Sequence, residues 1–174
     1  MDLLKSINSR AKAVVQITLT THDEKLCRII EPGVCATAQR VAALKQFQQA
    51  GIPTVVWLCP ILPFINDTEE NIRGILDCCV DAGVKGIINF GMGVTLRDGN
   101  REYFYEQLER SFPGMKERYI RTYGNAYELP SPRQKELLKL FHDTCEANGI
   151  WHENDRIFKY MNQLDEKTIQ MRFF

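Results

Sequence analysis

The chain has 174 residues, of which 44% are hydrophobic and 25% charged, enough for one globular domain with a buried core. Its 22 Lys and Arg residues balance its 22 Asp and Glu residues, so no net charge directs it to nucleic acid or to a membrane surface. No apolar run approaches the length of a membrane span, and the first residues do not resemble a secretory signal.

The cysteine pattern indicates a reducing compartment. The six cysteines contain no CxxC and no CxxxCxxC spacing, so neither a disulfide framework nor a metal site is predicted. We therefore predict a cytoplasmic protein with free, mostly buried thiols, since buried free cysteine usually behaves as a small hydrophobe. These residues are Cys27, Cys35, Cys59, Cys78, Cys79 and Cys145.

The first two-thirds of the chain alternates between strands and helices. Continuous apolar runs predict strands over 13–21, 52–61 and 84–94, and helical spacing predicts helices over 36–51 and 66–83. Strands that are apolar throughout, and not at every second residue, are typical of a parallel sheet covered by helices. The predicted fold class is therefore α/β with parallel strands.

The helix over 66–83 is predicted to begin with an Asn66/Asp67 cap and an acidic first turn. The remainder predicts two domains: 1–100 with the strands, and 101–174 as a helical extension. Because three parallel strands leave two open edges, the chain is expected to pair with another chain or to be the C-terminal part of a larger protein. The open edge of the first strand is expected to pair with another strand, and the terminal segment 169–174 is one candidate to cover it.

The carboxyl ends of the three strands are unusual in composition, and ligands of parallel α/β folds bind there. Thr18, Thr20 and Thr21 follow the first strand, Pro60 and Pro63 follow the second, and Gly91 and Gly93 follow the third. Prolines stiffen an extended turn, and glycines let a backbone approach a ligand closely.

Several motifs in the same order and spacing carry a family resemblance. The stretch from "ITLTT" through "ATAQRVAALKQFQQAG" and "CPILPFIND" to "DAGVKG" resembles the second half of radical S-adenosylmethionine (SAM) enzymes. Within them it looks closest to the spore photoproduct lyase-like, DNA repair photolyase group. The resemblance covers most of residues 10–100 and implies β/α units four to six of a partial TIM barrel.

The resemblance also implies which residues face SAM. Pro60, Leu62 and Asp67 fall at the G, I and E positions of the family's GxIxGxxE turn, which packs on adenine. Phe64 stands at the second glycine, a departure that concerns the local backbone. The other residues implied to contact the cofactor are Thr18 and Thr20 at the ribose, Glu31 and Arg40 as an acidic and a basic position, and Gly91 and Met92 near the adenine.

The family's CxxxCxxC loop, which holds a [4Fe–4S] cluster, has no counterpart here. The resemblance therefore implies the SAM-contacting half of an enzyme that forms a 5′-deoxyadenosyl radical, in the closest group for repair of DNA photoproducts. This chain alone is not expected to assemble the cluster or to cleave SAM. The alternative is a non-catalytic half-barrel that oligomerises or binds a nucleoside.

Each of these features also has an ordinary structural interpretation. The stretch "CPILPFIND" is also typical of a rigid turn that ends in a helix cap, and the threonines are common in strands because they are β-branched. Glu31 and Arg40 could equally form a surface ion pair. Cys59 fits core packing, or a catalytic thiol beside the ligand. The basic and aromatic residues after the third strand fit either a DNA contact or a solvated amphipathic helix: Arg97, Arg101, Tyr103, Tyr105, Arg118, Arg121 and Tyr123.

Overall fold

The computed structural model describes residues 1–163. The first half contains α1 (Asp2–Arg10), β1 (Val15–Thr18), α2 (Glu24–Ile30), α3 (Thr37–Gln49), β2 (Thr54–Trp57), α4 (Glu69–Asp81) and β3 (Gly86–Ile88). The second half contains β4 (Gly93–Thr95), α5 (Asn100–Ser111), α6 (Met115–Tyr123), β5 (Glu128–Pro130), α7 (Gln134–Ala147) and α8 (Asn154–Asn162).

The three predicted strands do form a parallel sheet, in the order β1-β2-β3. In the parallel pairings, Val15 of β1 lies opposite Thr54 of β2, and Val55 of β2 lies opposite Gly86 of β3. The α/β class with parallel strands is therefore confirmed. In the described part of the chain the sheet is open, with three strands and no closed barrel.

The third predicted strand is wrong in extent, because it divides into β3 and β4. Asn89 forms the break: its Oδ1 accepts from the Gly91 amide at 2.9 Å, and its Nδ2 donates to the Leu58 carbonyl at 2.9 Å. Gly91 adopts a positive φ of 111° there, which glycine tolerates without strain. The chain then turns away, and β4 pairs with β5 in an antiparallel sheet.

The predicted Asn66/Asp67 cap of α4 is also wrong. The helix begins at Glu69, and the Thr68 hydroxyl accepts from the Asn71 amide at 3.1 Å as its N-cap. The acidic first turn is present as Glu69 and Glu70, next to the partial positive charge of the helix N-terminus. Asn66 and Asp67 are buried and serve other contacts.

Helix α2 was not predicted from the sequence, since its seven residues show no extended periodicity. Asp23 caps it by accepting hydrogen bonds from the amides of Lys25 at 2.7 Å and Leu26 at 3.1 Å. These backbone bonds lower the pKa of Asp23. The capped helix carries Ile30 and Glu31 toward the carboxyl end of β1.

The main core lies on the face of the sheet that α3, α4 and α7 cover. Ile72, Ile75 and Leu76 of α4, which the helical spacing predicted, are buried against Val56 and Ile87 of the sheet. Helix α7 packs against α4 and adds Leu137, Phe141 and Cys145 to the same core. The predicted boundary at residue 100 stays a prediction, although α7 belongs to this core.

The two edges of the sheet differ. At the β3 edge, the Trp151 carbonyl accepts from the Ile87 amide at 2.8 Å, and the Trp151 amide donates to Lys85 at 3.1 Å. Helix α8 covers the other sheet face there, with Ile157 against Val55 and Ile88. The outer edge of β1 pairs with no strand among residues 1–163. The segment 169–174, a predicted cover for it, lies outside the described residues.

Gly74 of α4 packs against His22, which follows the carboxyl end of β1, and a substitution at Gly74 tests this contact. A Cβ at this position would lie 2.6 Å from Cγ of His22, closer than side-chain carbons approach one another. We expect Gly74→Ala to destabilise the protein by about 1–3 kcal/mol through this overlap, despite the roughly 1 kcal/mol that Ala gains over Gly in a helix.

The control for Gly74→Ala is the same substitution in a His22→Ala background. With the ring removed, the alanine should increase the free energy of unfolding in urea melts, so the effect changes sign. A Gly74→Ala effect of the same size in both backgrounds would contradict the contact.

Candidate functional site

A groove opens at the carboxyl ends of the three parallel strands, and we call it the carboxyl-end groove. Its β1 half has a cavity volume of about 250 Å³, and its lining includes Thr20, Glu31, Pro60, Leu62 and Val94. Its β3 half is lined by residues that include Cys59, Pro60, Gly91 and Glu128. Pro60, Val94 and Asn100 line both halves, which therefore adjoin one another.

The groove brings six of the sequence-predicted residues together and leaves four outside its lining. Thr20, Glu31, Pro60 and Leu62 line the β1 half, while Cys59 and Gly91 line the β3 half. The four predicted residues that do not line either half are Thr18, Arg40, Asp67 and Met92. We call the residues that line the groove its wall, and these four its supporting layer.

Arg40 belongs to the supporting layer, because all five of its N–H groups are directed at protein atoms. They bond the Cys35 and Thr18 carbonyls at 2.7 and 2.8 Å, both Glu31 carboxylate oxygens at 3.2 and 2.8 Å, and Cys27 Sγ at 3.2 Å. Burial alone would lower the pKa of Arg40, but its bonds to Glu31 outweigh this and raise it. This geometry favours a positioning role for Arg40 over the direct cofactor contact that the resemblance implies.

Glu31 is the carboxylate that Arg40 positions in the groove. Its Oε2 also accepts from the Thr20 hydroxyl at 2.6 Å, and the side chain is 20% exposed. A bidentate guanidinium and a hydroxyl hold both oxygens in one orientation. Glu31 therefore presents a fixed acceptor to the groove, a stronger arrangement than the exposed ion pair considered from the sequence.

Asp67 and Met92 are both buried. The Asp67 carboxylate accepts from the Ser131 hydroxyl at 2.5 Å, which attaches the turn after β2 to the start of the α7 segment. Burial, and then the nearby Asp67 charge, raise the pKa of Tyr123 to about 12. Met92 is fully buried in the main core. Neither side chain reaches the groove, whereas Gly91 beside Met92 does.

A buried amide network, not predicted from the sequence, joins the elements around the groove. The Thr20 carbonyl accepts from Asn66 Nδ2 at 2.8 Å and from Asn71 Nδ2 at 3.1 Å. Asn71 Nδ2 also donates to the Asn66 carbonyl at 2.8 Å, and Asn66 Oδ1 accepts from the Leu62 amide at 2.5 Å. In the sequence "INDTEEN" both asparagines are typical of a helix N-terminus. The network becomes visible only in the fold, where both side chains reach the Thr20 carbonyl.

Phe64, where the related group has glycine, adopts a left-handed φ of 66°. A left-handed backbone is energetically unfavourable for a residue with a Cβ atom, so the surrounding contacts must stabilise it. Its ring packs edge-on against Tyr119 at 5.7 Å between centroids, and the Arg118 guanidinium lies 3.8 Å from the ring centre. The Tyr119 hydroxyl donates to the Pro63 carbonyl at 2.6 Å. Helix α6 therefore holds the turn in the conformation that glycine would otherwise permit.

Cys59 is half-buried, and its peptide bond to Pro60 is cis. Burial raises the pKa of the Cys59 thiol, so at neutral pH it is present as S–H. It lines the β3 half of the groove. This form suits a hydrogen donor better than a nucleophile.

The six cysteines are free thiols: three are buried, two are half-buried and Cys35 is exposed. Within residues 1–163, no group of three or more His, Cys, Asp or Glu side chains is arranged to hold a metal. The cysteines of this chain therefore do not fit a three-thiolate cluster site. The same described part contains no helix long and apolar enough to cross a bilayer.

Several residues of the basic and aromatic stretch make contacts within the chain. Arg101 donates to the Ala126 carbonyl at 2.7 Å, Arg118 lies over Phe64, and the Tyr123 hydroxyl donates to Pro130 at 2.6 Å. These contacts join α5 to the loop before β5, and α6 both to β5 and to the turn after β2. Arg97 and Arg121 are exposed.

Comparison with known proteins finds relatives of unassigned activity. Uncharacterized proteins of Mycobacterium bovis and Mycobacterium tuberculosis are 28% identical over 139 residues, 80% of this chain. An uncharacterized protein of Acidianus two-tailed virus is 28% identical over 111 residues, 62% of this chain. The chain spans about 40% of the length of the mycobacterial relatives and 36% of the viral one. No family model and no solved structure matches the chain.

Asn71→Asp tests the amide network, because it replaces the Nδ2 donor with an oxygen that faces the Thr20 and Asn66 carbonyls. We expect a loss of at least about 2 kcal/mol in the free energy of unfolding at pH 7, since a buried charge would meet two acceptors. Burial raises the pKa of the introduced carboxyl above its unfolded value of about 3.9, so the loss should be smallest below that pH.

The matched control is Asn125→Asp, at an exposed turn. It should change the free energy of unfolding by less than about 0.5 kcal/mol. If urea melts show equal losses for the two variants, or the Asn71→Asp loss is independent of pH, the network does not hold the turn.

Proposed function

We propose that the carboxyl-end groove binds the adenosyl moiety of SAM, and that this chain is the SAM-contacting half of a radical SAM-type enzyme. In this proposal β1, β2 and β3 are the fourth to sixth strands of a partial TIM barrel, as the sequence resemblance implies. The iron–sulfur cluster and the remaining strands would come from a further N-terminal portion. The resemblance to the photolyase-like group implies a DNA photoproduct as substrate, although no Lys or Arg side chain lines the groove in the described part of the chain to neutralise its phosphates.

The observation that carries the proposal is the convergence of residues from separate loops in one cavity. Thr20 comes from the loop after β1, Glu31 from the end of α2, and Pro60 and Leu62 from the turn after β2. Parallel α/β sheets bind ligands at this end of the strands. The two halves of the groove have cavity volumes of about 250 and 460 Å³, and the larger lies within the usual range of about 300–1,000 Å³ for ligand pockets.

The side chains present fit a nucleoside. Glu31 would accept hydrogen bonds from the ribose hydroxyls, with Arg40 and Thr20 fixing its two oxygens. Pro60, Leu62 and Val94 would pack against the planar base and exclude water from it. SAM bound at a reduced cluster would supply the radical chemistry, while Cys59 holds a proton as S–H at the edge of the groove.

The proposal predicts that the isolated chain retains measurable affinity for S-adenosylhomocysteine. We expect isothermal titration calorimetry to give a dissociation constant below about 1 mM, equivalent to about −4 kcal/mol. Val94→Trp adds bulk to both halves of the groove and should weaken binding at least tenfold. No heat of binding at millimolar ligand would contradict the proposal.

The control for bulk is Ala42→Trp, on the exposed side of α3. It should bind S-adenosylhomocysteine as the parent chain does. Equal affinities for the Val94→Trp and Ala42→Trp variants would mean that the ligand binds somewhere else.

A second candidate, an oligomerising half-barrel, is favoured by the bare edge of β1. The amides of Val15 and Leu19 donate toward β2, to the Pro53 and Trp57 carbonyls at 3.0 Å each. Because strand amides alternate in direction, the Gln16 amide points to the open edge. An exposed strand edge is a template for pairing with another strand.

Gln16→Pro tests this candidate, because it removes a donor from the open edge and leaves the β1–β2 ladder intact. Under this candidate, sedimentation velocity would detect a dimer for the parent chain and a monomer for the variant. Gln16→Ala is the control, since it also loses the 2.8 Å bond from Trp57 Nε1 to Gln16 Oε1 but keeps the amide. A monomeric parent chain would exclude pairing through this edge.

A further inference from the structure

An apolar pocket lies between α2 and α5, and it is a second compartment beside the carboxyl-end groove. Its walls include Ile29 and Ile30 of α2 and Phe104 and Leu108 of α5, with Phe112 at the far end. It has a cavity volume of about 160 Å³, slightly more than the roughly 150 Å³ of an apolar cavity that holds benzene. We call it the α2–α5 pocket.

The α2–α5 pocket adjoins the β1 half of the groove. Ile30, Leu62, Asn100 and Phe104 line both. A ligand in the pocket would therefore lie next to a nucleoside bound beside Glu31. Asn100, Gln107 and Ser111 supply neutral polar groups among the apolar side chains.

The charge of these walls restricts what can bind. None of the described residues that line the α2–α5 pocket is charged. Among the described lining of the adjoining groove, the charged side chains are Glu31 and Glu128, both acidic. Proteins that bind nucleic acid neutralise its phosphates with Lys and Arg, and no such side chain lines this cavity system in the part of the chain described.

We propose that the α2–α5 pocket binds a small, uncharged, largely apolar molecule with a body of about one or two rings. The inference rests on the proposed function only in calling this molecule the substrate; the pocket and its ligand class follow from the lining. Burying such a ligand against isoleucine, leucine and phenylalanine is favourable, whereas phosphate groups would meet apolar walls without a cationic partner.

The test uses 6-propionyl-2-(dimethylamino)naphthalene, a neutral two-ring probe whose fluorescence rises and shifts to the blue in apolar surroundings. The parent chain should bind it saturably. Ser111→Trp and Gln107→Trp, which add bulk at two lining positions of α5, should each raise the dissociation constant about tenfold. The matched control is Glu109→Trp, an exposed position of the same helix outside the lining, which should leave it unchanged.

Two further arms separate this inference from its alternatives. An excess of a single-stranded oligonucleotide should not displace the probe, and its displacement would overturn the inference. So would absence of saturable probe binding, or equal affinities for the three tryptophan variants. S-adenosylhomocysteine binding by the Ser111→Trp variant is measured separately: if no chain binds that ligand but the probe arms hold, the proposed function fails and the pocket assignment stands.

Discussion

The carbonyl of Thr20 is the point on which the rest of the candidate site depends. It ends the first parallel strand and accepts hydrogen bonds from both Asn66 and Asn71, which belong to the turn after β2 and to α4. Buried backbone groups must be paired, so this contact joins loops that are far apart in sequence. With it in place, Thr20 and Leu62 face the same cavity, and Glu31 is held by the Thr20 hydroxyl.

The C-terminal helices pack against the turn after β2 and support the candidate site. Tyr119 bonds the Pro63 carbonyl, and its ring packs on Phe64, which occupies a backbone conformation that glycine usually takes. Asp67 bonds Ser131 ahead of α7. The turn after β2 is thus fixed from the sheet side by amides and from the helical side by aromatic side chains. Helix α5 then supplies one wall of the apolar pocket.

The sequence predicted the parallel sheet because continuous apolar runs without alternation are typical of strands that helices cover on both faces. Strands β2 and β3 are buried in this way, whereas β1, at the edge, has Gln16 exposed and no buried residue. Three of the groove residues, Thr20, Pro60 and Gly91, were predicted from their place at strand ends, and Cys59 from its place beside the turn. Glu31 and Leu62 were implied by the family resemblance. The sequence could not separate β3 from β4, since the break depends on Asn89 bonding Leu58 in another part of the chain. It placed Asn66 and Asp67 in a helix cap because a capping sequence and a buried network use the same residue types. For Arg40, residue identity indicated an ion pair, but the five occupied donors follow only from the fold.

The most direct test is to locate a bound nucleoside on the chain. Nitrogen-15 labelled protein would be titrated with S-adenosylhomocysteine, and amide shifts followed by two-dimensional NMR. The account predicts that the largest shifts fall at Thr20, Glu31, Leu62 and Val94, which line the β1 half of the groove. Shifts confined to the opposite end of the sheet, around Gly51 and Gly83, would contradict it.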